Sequence, residues 1–185
     1  MSQHPTSTSH SLHHAAYTCT DAEKTYDFYA NKLGFPLVRC ENHLHGKGWF
    51  RHFFFDIGGG ECLAFFELHR CGEKSDAKTQ VSTALGLPFW ANHISFRLDT
   101  MEELEAMKKR CAERGVPRVI EADHDWGISL YMCDPNGIMV EFTVTIKPDE
   151  FEQSPEEALR LLRQPYEEFA DDVRKEAKDI AHIAV

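Results

Sequence analysis

Apolar and polar residues follow the same order in two stretches of the chain, and each stretch opens with a strand pattern that carries a histidine. The first strand is predicted over 12–20 and contains His14, and the second is predicted over 90–98 and contains His93. A helical pattern with a polar start and a glycine stop follows each strand. The histidines are roughly 79 residues apart, a period that indicates a duplicated module rather than a solenoid unit.

The first module is predicted over about 12–70 in the order βαβββ. Its helix starts at a capping-box pattern, Thr20–Glu23, and ends at Leu33-Gly34. The polar stretch 41–48, which contains two histidines, is interpreted as a loop. Three strands complete the module, over 35–40, 50–57 and 61–68.

The second module is predicted over about 89–146, after a polar linker at 71–88. Apolar residues at helical spacing predict a helix over 100–114. An Asp134-Pro135-Asn136-Gly137 turn precedes the last strand. Three strands are expected in this part of the chain, over 117–121, 128–133 and 138–144.

Both ends of the chain depart from the repeated pattern. Residues 1–11 are polar, contain no apolar signal-peptide core, and are expected to be a disordered tail. A helical C-terminal extension is predicted over 147–185, with one helix capped at Ser154–Glu157 and a second over 166–182. We expect these helices to pack on the modules or on a second subunit. The amphipathic tail suggests a homodimer, and the sequence leaves open whether paired modules come from one chain or two.

Composition and charge narrow the class of protein. The 185 residues suffice for one domain or two small fused modules with a sizeable core. The net charge of -10 comes without a basic cluster, which argues against nucleic acid and membrane as partners. None of the six cysteines forms a CxxC pair, so a zinc finger or redox motif is not indicated. Reduced thiols in the cytoplasm are expected.

The order of elements and several short segments resemble the vicinal oxygen chelate superfamily, which includes glyoxalase I, methylmalonyl-CoA epimerase, fosfomycin-resistance enzymes, bleomycin-binding proteins and extradiol dioxygenases. The resemblance covers about residues 12–144. It is carried by His14 with Asp21 and Phe28-Tyr29, Leu33-Gly34-Phe35, Asn92-His93-Ile94, and Asp134-Pro135-Asn136-Gly137 with Glu141. It implies an α+β, glyoxalase-like fold in which two βαβββ modules form paired half-barrels, with a divalent metal where paired modules meet.

The resemblance implies that His14, His93 and Glu141 are the metal ligands. Strand alternation puts Glu141 on the same face as Met139 and Thr143, where a carboxylate is costly unless it binds a cation. A set of two histidines and one carboxylate with open positions favours Fe(II), and Zn, Ni, Co, Mn or Mg are alternatives. The competing interpretation is two core histidines and an exposed glutamate.

A fourth ligand separates the families within the superfamily. Glyoxalases and the epimerase take it from the last strand of module one, where Ala64 aligns nearest to the ligand position. Glu67 lies three residues further along and is expected to face the other side. Three ligands therefore fit this chain better than four.

The stretch from Asp123 to Tyr131 is similar to extradiol dioxygenases, in which a histidine and a tyrosine contact the bound catechol and oxygen. The resemblance implies catalytic roles for His124 and Tyr131, and Tyr131 stands ten residues before Glu141. A histidine can move protons near neutral pH, and a tyrosine can hold a substrate oxygen.

The acid-base histidine that those dioxygenases carry at the start of the last strand of module one is missing here. That place falls on Glu61 or Cys62. Glu61 could take over the catalytic role only with a raised pKa, and His52 on the preceding strand is the alternative. Some of the neighbouring phenylalanines could also line an apolar pocket for a ring-bearing substrate.

Three functions stay open at this point. The preferred one is a dioxygenase-type oxidoreductase that acts on a small phenolic or related vicinal-oxygen substrate. The second is a glyoxalase- or epimerase-like lyase or isomerase, in which the metal acts as a Lewis acid and a glutamate moves the proton. The third is a small-molecule-binding protein without turnover, which the intact ligand set makes the least favoured.

Overall fold

The computed structural model describes residue 9 and residues 11–165, and its strands form two four-stranded sheets. The strands are β1 His14–Cys19, β2 Leu37–His45, β3 Gly48–Gly58, β4 Glu61–His69, β5 His93–Leu98, β6 Ile120–Asp123, β7 Gly127–Cys133 and β8 Met139–Thr145. Sheet A has the order β1-β4-β3-β2 and sheet B the order β5-β8-β7-β6. In each sheet the first strand is parallel to the last and the other pairs are antiparallel. The predicted α+β fold with two βαβββ modules is confirmed.

The helix of module one begins with α1 (Ala22–Tyr26) and continues as a π-helical segment (Asp27–Leu33). Its N-cap is Asp21, whose side chain accepts a 3.0 Å hydrogen bond from the backbone of Lys24. The capping box predicted at Thr20–Glu23 is therefore one residue too early. An aspartate in this place satisfies an unpaired amide of the first turn as well as a threonine does.

Module two has the regular helix that its apolar spacing predicts, α3 (Met101–Glu113). Thr100 and Glu103 form a capping box at its start, so two backbone amides of the first turn have side-chain partners. Leu104 and Cys111 are fully buried and hold the helix against sheet B.

Two segments for which the sequence predicts irregular structure contain regular elements. Residues 41–48 are not a loop, because β2 extends to His45 and pairs with β3 as far as Gly48. The cause is that β2 is an edge strand with both faces exposed, so it lacks the alternation that marks a half-buried strand. The linker 71–88 contains a one-turn helix, α2 (Val81–Ala84).

The two modules pack on each other through the sides of the sheets that carry the helices. Phe35 contacts Phe96 in sheet B with ring centroids 4.9 Å apart. Arg110 on α3 donates a 2.8 Å hydrogen bond to the carbonyl oxygen of Lys32. Phenylalanines, leucines and valines of both sheets complete one continuous core. The opposite side of each sheet, here named the cup face, is left for other contacts.

Residues 9–146 form one compact unit, and residues 147–165 belong to a second. The second unit contains α4 (Pro148–Phe151) and α5 (Pro155–Arg163), and Ser154 caps α5 by accepting a 3.2 Å hydrogen bond from Glu157. The helix predicted over 166–182 and nearly all of the predicted tail 1–11 lie outside the described residues. Within the described part of the chain, no helix is both long and apolar enough to cross a membrane.

Candidate functional site

The cup face of sheet B gathers polar side chains from three adjacent strands. Glu141 on β8 has Ser95 of β5 on one side and Tyr131 of β7 on the other. Ser129 lies opposite Thr143. This pair is on the same face as Tyr131 and Glu141, two residues further along the strands. The opposite faces of these strands supply the apolar core, so strand alternation alone separates the core from the polar cluster.

Glu141 is buried, with 5% of its surface exposed, and its two carboxylate oxygens have different partners. Oε1 accepts hydrogen bonds from Ser129 (2.6 Å), Tyr131 (2.7 Å) and Thr143 (2.7 Å). Oε2 lies 3.2 Å from Nε2 of His93. Burial raises the pKa of Glu141, but the three hydroxyl donors and the nearby His93 outweigh it, so the pKa lies below its ordinary value. The carboxylate is therefore ionised at neutral pH.

The second ring nitrogen of His93 determines what Nε2 can do. Nδ1 lies 3.0 Å from the carbonyl oxygen of Trp90, which can only accept, so Nδ1 carries the hydrogen. Nε2 then faces Oε2 of Glu141 either with a proton, as an ion pair, or with a lone pair that can bind a metal ion placed between the two atoms. Metal ligands at about 2.1 Å from one ion are about 3 Å apart, so the two atoms fit a divalent metal. A backbone acceptor on the far nitrogen is the usual support of a metal-binding histidine.

His124 and Tyr131, both predicted to be catalytic, lie next to this pair. Nε2 of His124 is 2.8 Å from the hydroxyl oxygen of Tyr131, whose own proton is donated to Glu141. His124 is therefore the donor, and the ring stacks on Trp126 with centroids 5.5 Å apart. Burial and the bond to Glu141 raise the pKa of Tyr131, so its hydroxyl stays protonated.

His14, the third predicted ligand, lies on the cup face of sheet A. Its ring is beside Phe54 (centroids 5.5 Å apart) and His52 (6.3 Å), and Nδ1 is 2.7 Å from Nδ1 of His13. It does not join His93 and Glu141. Within residue 9 and residues 11–165, no three His, Cys, Asp or Glu side chains are grouped so that they could hold a metal ion. One chain thus presents the His93–Glu141 pair on sheet B and a separate histidine on sheet A.

His52 and two phenylalanines make the surface beside His14 aromatic. The His52 ring stacks on Phe66 at 3.7 Å and contacts Phe54 at 4.2 Å. Burial, and secondarily the proximity of His14, lowers the pKa of His52, so its ring is neutral at neutral pH. Phe53, Phe55 and Phe65 face the core, so only the alternate phenylalanines line the cup.

The two candidate glutamates of β4 face away from the cup. Glu67 accepts a hydrogen bond from the backbone of Ala22 and forms an ion pair with Arg51, both at 3.2 Å. Glu61, predicted to be catalytic, shares that side of the strand and accepts a 3.3 Å hydrogen bond from the backbone of Leu12. The cup-facing residues of β4 near His14 are Cys62 and Ala64.

Sequence reasoning does not single out Ser129 as a site residue, and it uses Thr143 only to mark a face. A usable signal exists: Ser129 stands two residues before Tyr131, and Thr143 two residues after Glu141, so alternation puts all four on one face. Small hydroxyl residues in strands are common, however, and the pattern gains meaning only once the carboxylate they surround is known.

Comparisons with known proteins place the chain in a family. Glyoxylase I 4 from Arabidopsis thaliana is 29% identical over 135 residues, covering 71% of this chain and 68% of that protein. Lactoylglutathione lyase from Agrobacterium tumefaciens has a TM-score of 0.52 and 21% identity, covering 75% of this chain and 96% of that one. The antibiotic-binding protein TnmS3 from Streptomyces sp. CB03234 has a TM-score of 0.52 and 19% identity, covering 76% and 99%.

The two solved structures share the fold with this chain but, by their names, differ in function, so they establish the fold alone. The sequence profile described as Glyoxalase/Bleomycin resistance protein/Dioxygenase superfamily matches residues 11–142, most of the chain. Together with the two βαβββ modules, this match shows that the chain belongs to the Glyoxalase/Bleomycin resistance protein/Dioxygenase superfamily.

Proposed function

We propose that this protein is a metal-dependent enzyme that acts on a small substrate with two neighbouring oxygen atoms. The observation that carries the proposal is the pair of His93 Nε2 and Glu141 Oε2, 3.2 Å apart in a buried, hydroxyl-rich setting. A buried carboxylate that is kept ionised needs a positive charge beside it, and a divalent metal would supply that charge while binding both the carboxylate and the histidine.

His14 of a second copy of the chain completes this site in our proposal. It lies on an exposed strand of sheet A, and β1 and β5 are both edge strands of their sheets. Cup faces of two copies can therefore meet so that module one of one chain covers module two of the other. The site then has two histidines and one carboxylate, and it needs the dimer.

Three protein ligands favour Fe(II) and a dioxygenase-type reaction on a phenolic or related substrate. The cup face of β4 presents Ala64 where four-ligand relatives have their extra ligand, and Glu67 is held on the other side by Ala22 and Arg51. Bound at the three ligands, Fe(II) supplies positions for a chelating substrate and for oxygen.

The surrounding residues have separate tasks in this proposal. Tyr131 holds a proton next to Glu141, and His124 can exchange protons with Tyr131 across their 2.8 Å hydrogen bond. Phe54 and Phe66, with the His52 ring between them, form an apolar wall beside His14 that suits an aromatic ring.

A lyase or isomerase is the second candidate, because the Arabidopsis relative is named Glyoxylase I 4 and is 29% identical. In that case Zn, Ni, Co, Mn or Mg would act as a Lewis acid, and a glutamate would move the proton. Glu61 and Glu67 face away from the cup, so neither of the two glutamates considered as its base reaches the cup face.

Metal content of anaerobically purified protein tests the proposal. The His93→Ala variant removes a ligand, and His45→Ala, at the exposed end of β2, is the matched control. Near-stoichiometric iron that is lost in His93→Ala alone, with oxygen consumed when a catechol is added, would support the dioxygenase. Zinc, nickel or cobalt with turnover that ignores oxygen would favour the lyase or isomerase. Equal metal content in His93→Ala and the wild type, or none in either, would overturn the site.

A further inference from the structure

We propose that Ser129 and Thr143 are positioning residues that restrict Glu141 to binding a metal through Oε2 alone. This inference rests on the proposed function, because it assigns a task to the hydroxyl groups around the proposed ligand. Both side chains lie on the cup face of sheet B, and both donate to the oxygen of Glu141 that is turned away from His93.

Hydroxyl groups crowd around one oxygen of Glu141. Ser129 and Thr143 both lie within donating distance of Oε1, at 2.6 and 2.7 Å, and their own oxygens are 3.0 Å apart. Ser95 lies 2.9 Å from the Thr143 oxygen and extends this hydroxyl network to β5. With Tyr131 as the third donor, Oε1 has its lone pairs fully engaged. The oxygen that remains for a metal is Oε2.

Burial makes the hydroxyl groups hard to replace. Ser129 is fully buried, and Thr143 is 9% exposed. Water has little access to Oε1, so the loss of one hydroxyl leaves part of a buried negative charge without a partner. The carboxylate can then turn and offer both oxygens to the metal, which spoils its alignment with Nε2 of His93. Residues in this role typically change metal affinity by about 10- to 100-fold.

Titration with Co(II) tests the inference, because the visible bands of Co(II) report its coordination number apart from any turnover. We expect Ser129→Ala and Thr143→Val to bind Co(II) about 10- to 100-fold more weakly than the wild type and with altered bands. Thr143→Ser keeps the hydroxyl and should retain wild-type affinity and bands. Thr145→Val, on the same face of β8 and exposed, is the matched control and should change neither.

The outcomes separate this inference from the proposed function. If the wild type binds no Co(II), both fail. If the wild type binds but Ser129→Ala and Thr143→Val have its affinity and bands, the inference alone is overturned. If Thr143→Ser is as weak as Thr143→Val while thermal unfolding shows that both are folded, side-chain packing rather than the hydroxyl is responsible, and the inference is again overturned.

Discussion

Asp134 is a buried carboxylate of module two that is almost fully surrounded by donors. Oδ2 accepts from the hydroxyl of Tyr29 (3.1 Å) and the side chain of Asn136 (3.0 Å), and Oδ1 accepts from the backbone of Asn136 (2.8 Å) and Ile138 (2.7 Å). Burial nevertheless raises the pKa of Asp134 above its ordinary value, because it outweighs these bonds. Tyr29 belongs to module one, so the contact joins the modules.

The raised pKa of Asp134 predicts how stability changes with pH. The folded protein binds the proton more tightly than the unfolded chain does, so the contribution to stability is fully present below the ordinary value of 3.8 and is lost as pH rises through the raised value. Asp134→Asn removes this titration. It should be less stable at low pH, by about 1–3 kcal/mol, because its amide faces the donors Tyr29 and Asn136.

Denaturant unfolding of Asp134→Asn and the wild type across this pH window checks the prediction. The gap between their free energies of unfolding should narrow as pH rises, with the exposed Asp125→Asn as the control for the change in net charge. A gap that widens with pH would mean that Asp134 stabilises the fold mainly as the charged form.

Some roles of individual residues could be predicted from the sequence, and others could not. Glu141 could be placed on the cup face because its neighbours Val140 and Phe142 are apolar core residues and successive side chains of a strand point to opposite faces. The role of Asp134 between the modules could not be predicted, since a DPNG segment indicates only a turn and its partner Tyr29 is 105 positions away. The convergence of Ser129 and Thr143 on one oxygen likewise depends on strand pairing, not on sequence spacing.

The helix of module one ends at Gly34, which has φ of +92° and lies against the guanidinium group of Arg110. A Cβ atom here would be 2.7 Å from Nη2 of Arg110. The arginine is held in place by its hydrogen bond to Lys32, so an added methyl group would disturb the contact between the modules.

Gly34→Ala should therefore destabilise the protein more than an alanine at an open glycine. Gly58 has nearly the same φ (+95°), but an added methyl group there would have no neighbouring atom within 4 Å, so Gly58→Ala isolates the backbone strain. We expect Gly58→Ala to lower the free energy of unfolding by about 1–2 kcal/mol, and Gly34→Ala to lower it by about 1 kcal/mol more because the Arg110 bond is lost. Urea unfolding of both variants measures the difference. An equal loss of unfolding free energy in both variants would show that the Arg110 side chain can move aside without destabilising the protein.

Elements with one buried face were predictable, and those without one were not. β7 and β8 are buried along almost their whole length, with Leu130, Val140 and Phe142 in the core, so their apolar patterns are clear in the sequence. β2 exposes nearly every residue, including Leu44 at 90%, and its histidines and charges resemble those of a loop. The π-helical segment after α1 has no distinct pattern, because its buried residues fall where an α-helix would also bury them.

At the scale of the whole molecule, the proposed site needs residues from two chains, and mixing variants tests this directly. His14→Ala removes the proposed ligand of module one, and His93→Ala removes a proposed ligand of module two. Neither homodimer therefore has an intact site. A mixed dimer should have one intact site and one that lacks both histidines. Random mixing should restore about a quarter of the wild-type metal content.

Metal content of a co-refolded mixture, next to each variant refolded alone, is the measurement. As a control, His14→Ala mixed with a His14→Ala/His93→Ala double variant should stay without metal. No recovery in the first mixture, although mixed dimers are shown to form, would mean that the ligands come from one chain. This pairing was beyond sequence reasoning, since a repeat shows that two histidines are equivalent but not which copies meet.

We expect the strands that carry the histidines to join their sheets last, because their partners are distant in the sequence. β1 pairs with β4 and β5 pairs with β8, so His14 lies opposite Cys62 and His93 opposite Met139. The β3–β4 and β7–β8 pairs are local hairpins, whereas these parallel pairs close loops of roughly 50 residues and form late during folding. A chain still in the course of folding thus has its hairpins before it has aligned His93 with Glu141. In a chain that binds metal as proposed, the site would therefore form only when the parallel pairs close, and hairpins alone would not hold the ion.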